Sequence, residues 1–112
     1  VMATRSKIAI KNQDGTIDAV YCHWDGYPEH NGTILQDCYN TEQSVRELLA
    51  LGDLSSLDKT LQSTVAYHRD KGDKYSGVSQ YEGREELLAS STNCGAEYVY
   101  LFENDKWECT TL

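Results

Sequence analysis

The chain has 112 residues, a formal net charge of −8 from 18 acidic and 10 basic side chains, and 39% hydrophobic residues. This length predicts one domain over residues 2–112 with a modest core, and the acidic balance argues against non-specific binding to DNA, RNA or anionic lipid, all of which need basic surface. No apolar run approaches the length of a membrane span and no signal-type apolar core follows Met2, so Met2 reads as an initiator preceded by a remnant Val1, and the cytoplasm as the location.

Ser6–Lys11 alternates as a strand, with Ile8 and Ile10 on one face and Lys7, Ala9 and Lys11 on the other. Asn12-Gln13-Asp14-Gly15 carries the Asp-Gly signal of a hairpin turn. Thr16–Trp24 is the returning strand: Ile17, Ala19, Tyr21 and His23 share one face, and Asp18, Val20, Cys22 and Trp24 the other. Apolar residues on both faces predict a central strand buried on both sides towards its end. A loop over 25–31 follows, then a short helix over Gly32–Tyr39 with Ile34, Leu35, Cys38 and Tyr39 inward. Asn40 or Thr41 caps the next helix, Thr41–Leu51, with Gln43 three residues beyond Asn40 in capping-box spacing. Val45, Leu48 and Leu49 form its apolar stripe, and Gly52 stops it.

Asp53–Leu57 is a turn that tucks Leu54 and Leu57 into the core, and Leu61–Tyr67 an edge strand. His68-Arg69-Asp70-Lys71-Gly72-Asp73-Lys74 is a solvated charged loop. Glu82–Ser90 is a helix with Leu87 and Leu88 inward. Gly95–Phe102 alternates Tyr98, Tyr100 and Phe102 against Val99 and Leu101, and Lys106–Thr111 returns after a turn at Glu103-Asn104-Asp105. The fold class is α+β: an antiparallel sheet of about four strands from the N- and C-terminal hairpins, packed with helices from the middle of the chain.

Chemistry concentrates in Tyr21–Gly32, where three aromatics, two of the three histidines and the only proline gather in a turn-prone segment between rigid elements. Trp24, Tyr27 and Pro28 have the composition of a contact surface; Tyr27 is the better candidate for exposure, Trp24 being equally suited to capping the core. Eight tyrosines against one phenylalanine predict many half-exposed rings, because a buried hydroxyl must find a partner. His23, Asp25 and His30 fall within eight residues and have the chemistry of metal ligands, yet the close spacings of common zinc sites are missing. The simpler reading packs His23 on its aromatic neighbours and turns the chain at Asp25, and no metal or cofactor is assigned.

The run His68–Lys74 gathers cationic groups, with Arg69 as a bidentate donor for phosphate or carboxylate and Lys71 beside it, although Asp70 and Asp73 weaken the field. The four cysteines, Cys22, Cys38, Cys94 and Cys109, include no C-x-x-C pair and read as reduced thiols, mostly buried as small hydrophobes. Cys22 and His23 are adjacent on a strand and point to opposite faces, so adjacency makes no thiol–imidazole pair. With no nucleophile elbow, phosphate-cradling loop or zinc-hydrolase motif, no catalytic residue is assigned. The acidic clusters around Glu82, Glu85 and Glu86 and around Glu97, Glu103, Asp105 and Glu108 are interleaved with bases, which suits a soluble surface better than an imitation of phosphates.

Four blocks, Tyr21–Pro28, Leu48–Leu57, Ala66–Gly72 and Gly95–Phe102, taken in that order, resemble a family of small accessory proteins encoded by tailed bacteriophages and prophages. The resemblance implies a phage protein in the host cytoplasm that binds a host or defence protein and inhibits or redirects its complex, and it carries over no catalytic residue. With the residues, it points to a binding surface of His23, Trp24, Asp25, Tyr27, Pro28 and His30 with nearby acids, for a partner with a basic surface. The alternative is a small-ligand or nucleotide site built from His23, Trp24, Arg69 and Lys71.

Overall fold

The computed structural model describes residues 3–75 and 77–112; the reading of Val1 and Met2 lies outside the described residues. Its elements in chain order are β1 (Ser6–Lys11), β2 (Ile17–Cys22), a π-helical turn (Pro28–Gly32), α1 (Thr33–Cys38), α2 (Glu42–Leu49), β3 (Leu54–Ser56), β4 (Val65–Ala66), α3 (Tyr67–Lys71), β5 (Ser79–Tyr81), α4 (Arg84–Asn93), β6 (Tyr98–Glu103) and β7 (Lys106–Thr111). The class is α+β, as the patterning predicts.

The sheet departs from the expectation in size and direction. Among the described residues it has seven strands, ordered β4-β3-β2-β1-β6-β7, with β5 also paired to β2. Both hairpins form, β1 with β2 and β6 with β7, but β1 and β6 meet in parallel, as do β2 and β3. The reason is the helical middle. A parallel neighbour requires the chain to cross back over the sheet, and α1 with α2 carries it from β2 to β3. The strand β5 runs antiparallel to β2, hence in the same sense as β6, and α4 carries the chain between those two.

Crossovers on opposite faces give three layers and two cores. Ile8, Ile10, Val20, Cys22, Tyr100 and Phe102 meet Leu35, Val45 and Leu48 from α1 and α2. On the other face Ala9, Ile17, Ala19, Val99 and Leu101 meet Leu87 of α4 and Tyr81 of β5. The central strand β1 is therefore buried from Ser6 to Ile10 on both faces. Even Lys7 is 7% exposed, its Nζ donating to the Tyr81 hydroxyl at 3.3 Å.

Several local expectations are corrected. The cap of α2 is Thr41, which exchanges hydrogen bonds with Ser44, both 3.1 Å, and not an Asn40–Gln43 box. Asp53–Leu57 holds the strand β3, with Leu54 and Leu57 buried as expected. The edge strand at Leu61–Tyr67 shrinks to Val65–Ala66: a turn closed by Thr64 N–H on Thr60 O precedes it and Tyr67 opens α3, which runs to Lys71 and so makes helix of the first part of the charged run His68–Lys74. No helix among the described residues is long and apolar enough to cross a membrane.

Candidate functional site

Backbone contacts at both ends shape the Trp24–His30 loop. His23 and Trp24 leave β2 with their N–H groups donating to Leu54 and Ser55 carbonyls, both 3.0 Å, so Trp24 stands where the β2–β3 pairing ends. Asp25 then takes a left-handed backbone (φ 57°), a conformation that Asp tolerates better than most side chains. Gly26 is buried against β1. Its N–H donates to Thr4 O at 2.8 Å, and its carbonyl accepts from the Tyr100 hydroxyl at 2.6 Å. Burial pushes the Tyr100 phenol far above its ordinary value, which keeps it a donor.

Past Pro28 the π-helical turn drives Asn31 into the interior, with no exposed surface. Its Nδ2 donates to Ser6 Oγ at 3.2 Å and to Cys22 Sγ at 3.5 Å, and its Oδ1 accepts from His30 Nδ1 at 2.9 Å. The loop is thus stapled to β1, β2 and β6 through Gly26 and Asn31, and between those points Tyr27, Pro28 and Glu29 are exposed while His30 is half-buried against Asn31.

Trp24 is 40% exposed and Tyr27 36%; Asp25, Pro28 and Glu29 are exposed as well. The rings form two pairs. His23 meets Trp24 edge-on at 4.6 Å between centroids, and Tyr27 lies 6.1 Å from His30. The Tyr21 hydroxyl and His23 Nδ1 share a 2.7 Å hydrogen bond. The charge of Asp25 lifts the Tyr27 phenol above its ordinary value, with smaller contributions from desolvation, a hydrogen bond to Asp25 and the charge of Glu29. The loop therefore presents aromatic rings beside carboxylates on a fixed backbone, a surface suited to contact and to cations.

The remaining predicted residues do not join it. Arg69 forks onto Asp70, with Nε and Nη2 each donating at 2.9 Å, and also donates to Thr64 O. That pairing lowers the Asp70 carboxyl and raises the Arg69 guanidinium relative to their ordinary values, and ties both to α3. Lys71 is exposed at the end of α3. A shallow cleft of about 320 Å³ near α3 is lined by Tyr21, Asp53, Tyr67, Asp73 and Lys74; His23, Trp24 and Arg69 are not in its wall. His23, Asp25 and His30 do not gather as ligands: among the described residues no three His, Cys, Asp or Glu side chains are placed to hold a metal ion.

Residue patterning does not single out Gly26, Asn31 or Tyr100, which hold the loop in place. Their only advance signal is the Gly26 and Asn31 pair within the turn-prone segment, since the partners Thr4, Ser6 and Tyr100 come from distant parts of the chain.

Cys22 has no exposed surface, and burial pushes its thiol up to about 11. A nucleophilic cysteine needs the reverse shift and access to solvent. All four cysteines are free thiols, but only Cys22 is buried, against the expectation that most are: Cys38 and Cys94 are half-buried near the ends of α1 and α4, and Cys109 is exposed on the outer strand β7. Alkylation with a maleimide at neutral pH should therefore modify Cys109 first and Cys22 last, the latter at the rate of global unfolding. Peptide mapping against time checks the order, and prompt labelling of Cys22 in folded protein would contradict its placement.

Comparison with protein-family models, with curated proteins and with solved structures finds no match for this chain.

Proposed function

We propose that this chain is a phage accessory protein that binds a host or defence protein directly in the host cytoplasm and inhibits or redirects the complex it belongs to. The contact surface is the Trp24–His30 loop with its acidic neighbours. One observation carries the reading: Trp24 and Tyr27 expose 40% and 36% of their surface on a backbone fixed through Gly26. Exposed rings on a preorganised support lose little freedom on binding, and aromatic anchors of this kind dominate protein interfaces. The net charge of −8 favours a basic partner and speeds the encounter. The mechanism is steric occlusion of the partner's own contact surface.

Truncating either ring to alanine is expected to weaken partner binding by about 2 kcal/mol or more, roughly thirtyfold. The melting point should hardly move, since neither ring is a core residue. The experiment is capture from infected cells, identification of the captured protein, and calorimetry of the purified pair with wild-type, Trp24→Ala and Tyr27→Ala chains. Undiminished affinity in both variants removes the proposal.

A further inference from the structure

The outer strand β7 offers a second recognition element, and its chemistry is that of strand addition. It is the last strand of the sheet on its side, and among the described residues nothing pairs with its free edge. The register settles which backbone groups are free. Leu112 N–H donates to Glu97 O at 2.9 Å, and the β6–β7 partners run from Tyr98↔Thr111 to Glu103↔Lys106. Bonded and non-bonded pairs alternate in an antiparallel ladder. Lys106, Glu108 and Thr110 therefore bond to β6, whereas Trp107, Cys109 and Thr111 turn their N–H and C=O groups outward. Glu108, Cys109 and Thr111 are exposed, and the strand has no proline and no bulge to blunt the edge.

A pocket lies beside this edge on the α1 side. Its volume is about 170 Å³, with Pro28, Gly32 and Gln36 on the helical wall and Trp107 and Cys109 on the strand wall. A cavity of about 150 Å³ accommodates a benzene ring, so this one suits a single aliphatic or aromatic side chain. An open strand edge flanked by a helix, with a side-chain pocket between them, is the arrangement in which main-chain bonds give affinity and alternate side chains give selectivity.

Charge selects the occupant. Two copies of a chain carrying −8 repel each other. On β7 and its turn Glu103 is paired with Lys11 and Glu108 with Arg84, so the acids that face an incoming strand are Asp105 in the turn and the exposed Glu29, next to Pro28 of the pocket wall. We propose that β7 receives an extended basic segment of the partner protein as an added strand, with one apolar side chain in the pocket. The inference rests on the reading of this chain as a protein binder and names the form of the partner. Pro28 belongs both to the exposed loop and to the pocket wall, so one partner can span both surfaces.

The test uses a probe peptide, capped at both ends, that alternates lysine and threonine about one central leucine, titrated at about 150 mM salt to screen diffuse attraction. The amide resonances of Trp107, Cys109 and Thr111 should move and become protected from exchange. Methylating alternate amide nitrogens of the peptide leaves its charge intact and removes the donors that face β7; affinity should fall about tenfold or more. Thr111→Pro, which deletes an outward N–H and no ladder bond, and Gln36→Trp, which fills the pocket, should each weaken the probe similarly while the fold melts normally. Equal binding of the methylated peptide, shifts confined to other surfaces, or no binding overturns the proposal. The titration is repeated on Trp24→Ala, where binding should persist, so a failed edge and a failed loop give different results.

Discussion

Gly26→Ala is expected to destabilise the protein by about 2–3 kcal/mol, lowering the melting point by roughly 10 °C or more. The cause is crowding, since Gly26 is not at positive φ. A Cβ there would sit 2.8 Å from both Ser6 Cβ and Thr4 O and 2.9 Å from Ser6 Oγ. Real Cβ atoms do not approach that closely, and neither side can give way. Thr4 and Ser6 flank the start of the central strand, and Gly26 is held by its bonds to Thr4 O and the Tyr100 hydroxyl. Relief requires breaking one of these bonds, which leaves a buried polar group without a partner. The variant should lose partner affinity along with stability, because the loop comes off its support. Gly83→Ala is the control: no atom lies within 4 Å of the added carbon, and its φ of −174° is ordinary extended backbone, so melting should change little. Thermal and urea melts of both variants decide the matter, and equal effects would refute the packing argument.

Leu87→Ala is expected to cost about 2–5 kcal/mol, the range for deleting a fully buried leucine. Leu87 and Ser91 are the buried residues of α4, and Ser91 bonds back onto the Leu87 carbonyl at 2.7 Å. One leucine, with half-buried Leu88 beside it, thus supplies most of the apolar attachment of this layer. Its loss should expose the α4 amides to rapid hydrogen exchange while α1 and α2, packed on the opposite face by Leu35, Val45 and Leu48, keep their protection. The Trp24–His30 loop belongs to that opposite side through Asn31 and Cys22, so the partner capture proposed for it should survive below the melting transition. Uniform loss of protection in all helices would show that the two faces unfold as one unit.

Local pattern made some of this molecule legible in advance. Alternation with the Asp-Gly turn marked β1 and β2, and the Val45/Leu48/Leu49 stripe marked α2, because each signal lies within a few neighbouring residues. Composition points to Tyr27 as an exposed ring of the Trp24–His30 loop in the same way, whereas it leaves Trp24 equally suited to the core, and only the folded loop shows that ring exposed. Strand direction was not, because the choice of β6 as the parallel neighbour of β1 joins Ser6 to Tyr98 and leaves no periodicity behind. The strands β3 and β5 have three residues each, too few to show a period of two. His68–Lys74 reads as a solvated loop because α3, which takes up its first four residues, buries none of them and so has no apolar face to read. Gly26 and Asn31 matter through Thr4, Ser6 and Tyr100, which only the folded sheet brings to them.

The parallel join between the first and sixth strands also bears on how the molecule assembles. The innermost strand lacks one of its two neighbours until the penultimate strand has been made, and closing a loop of that span loses much chain entropy before any pairing rewards it. Acquisition of the native state is therefore slow relative to helical proteins of this size, and on the ribosome it waits until the last strands have emerged.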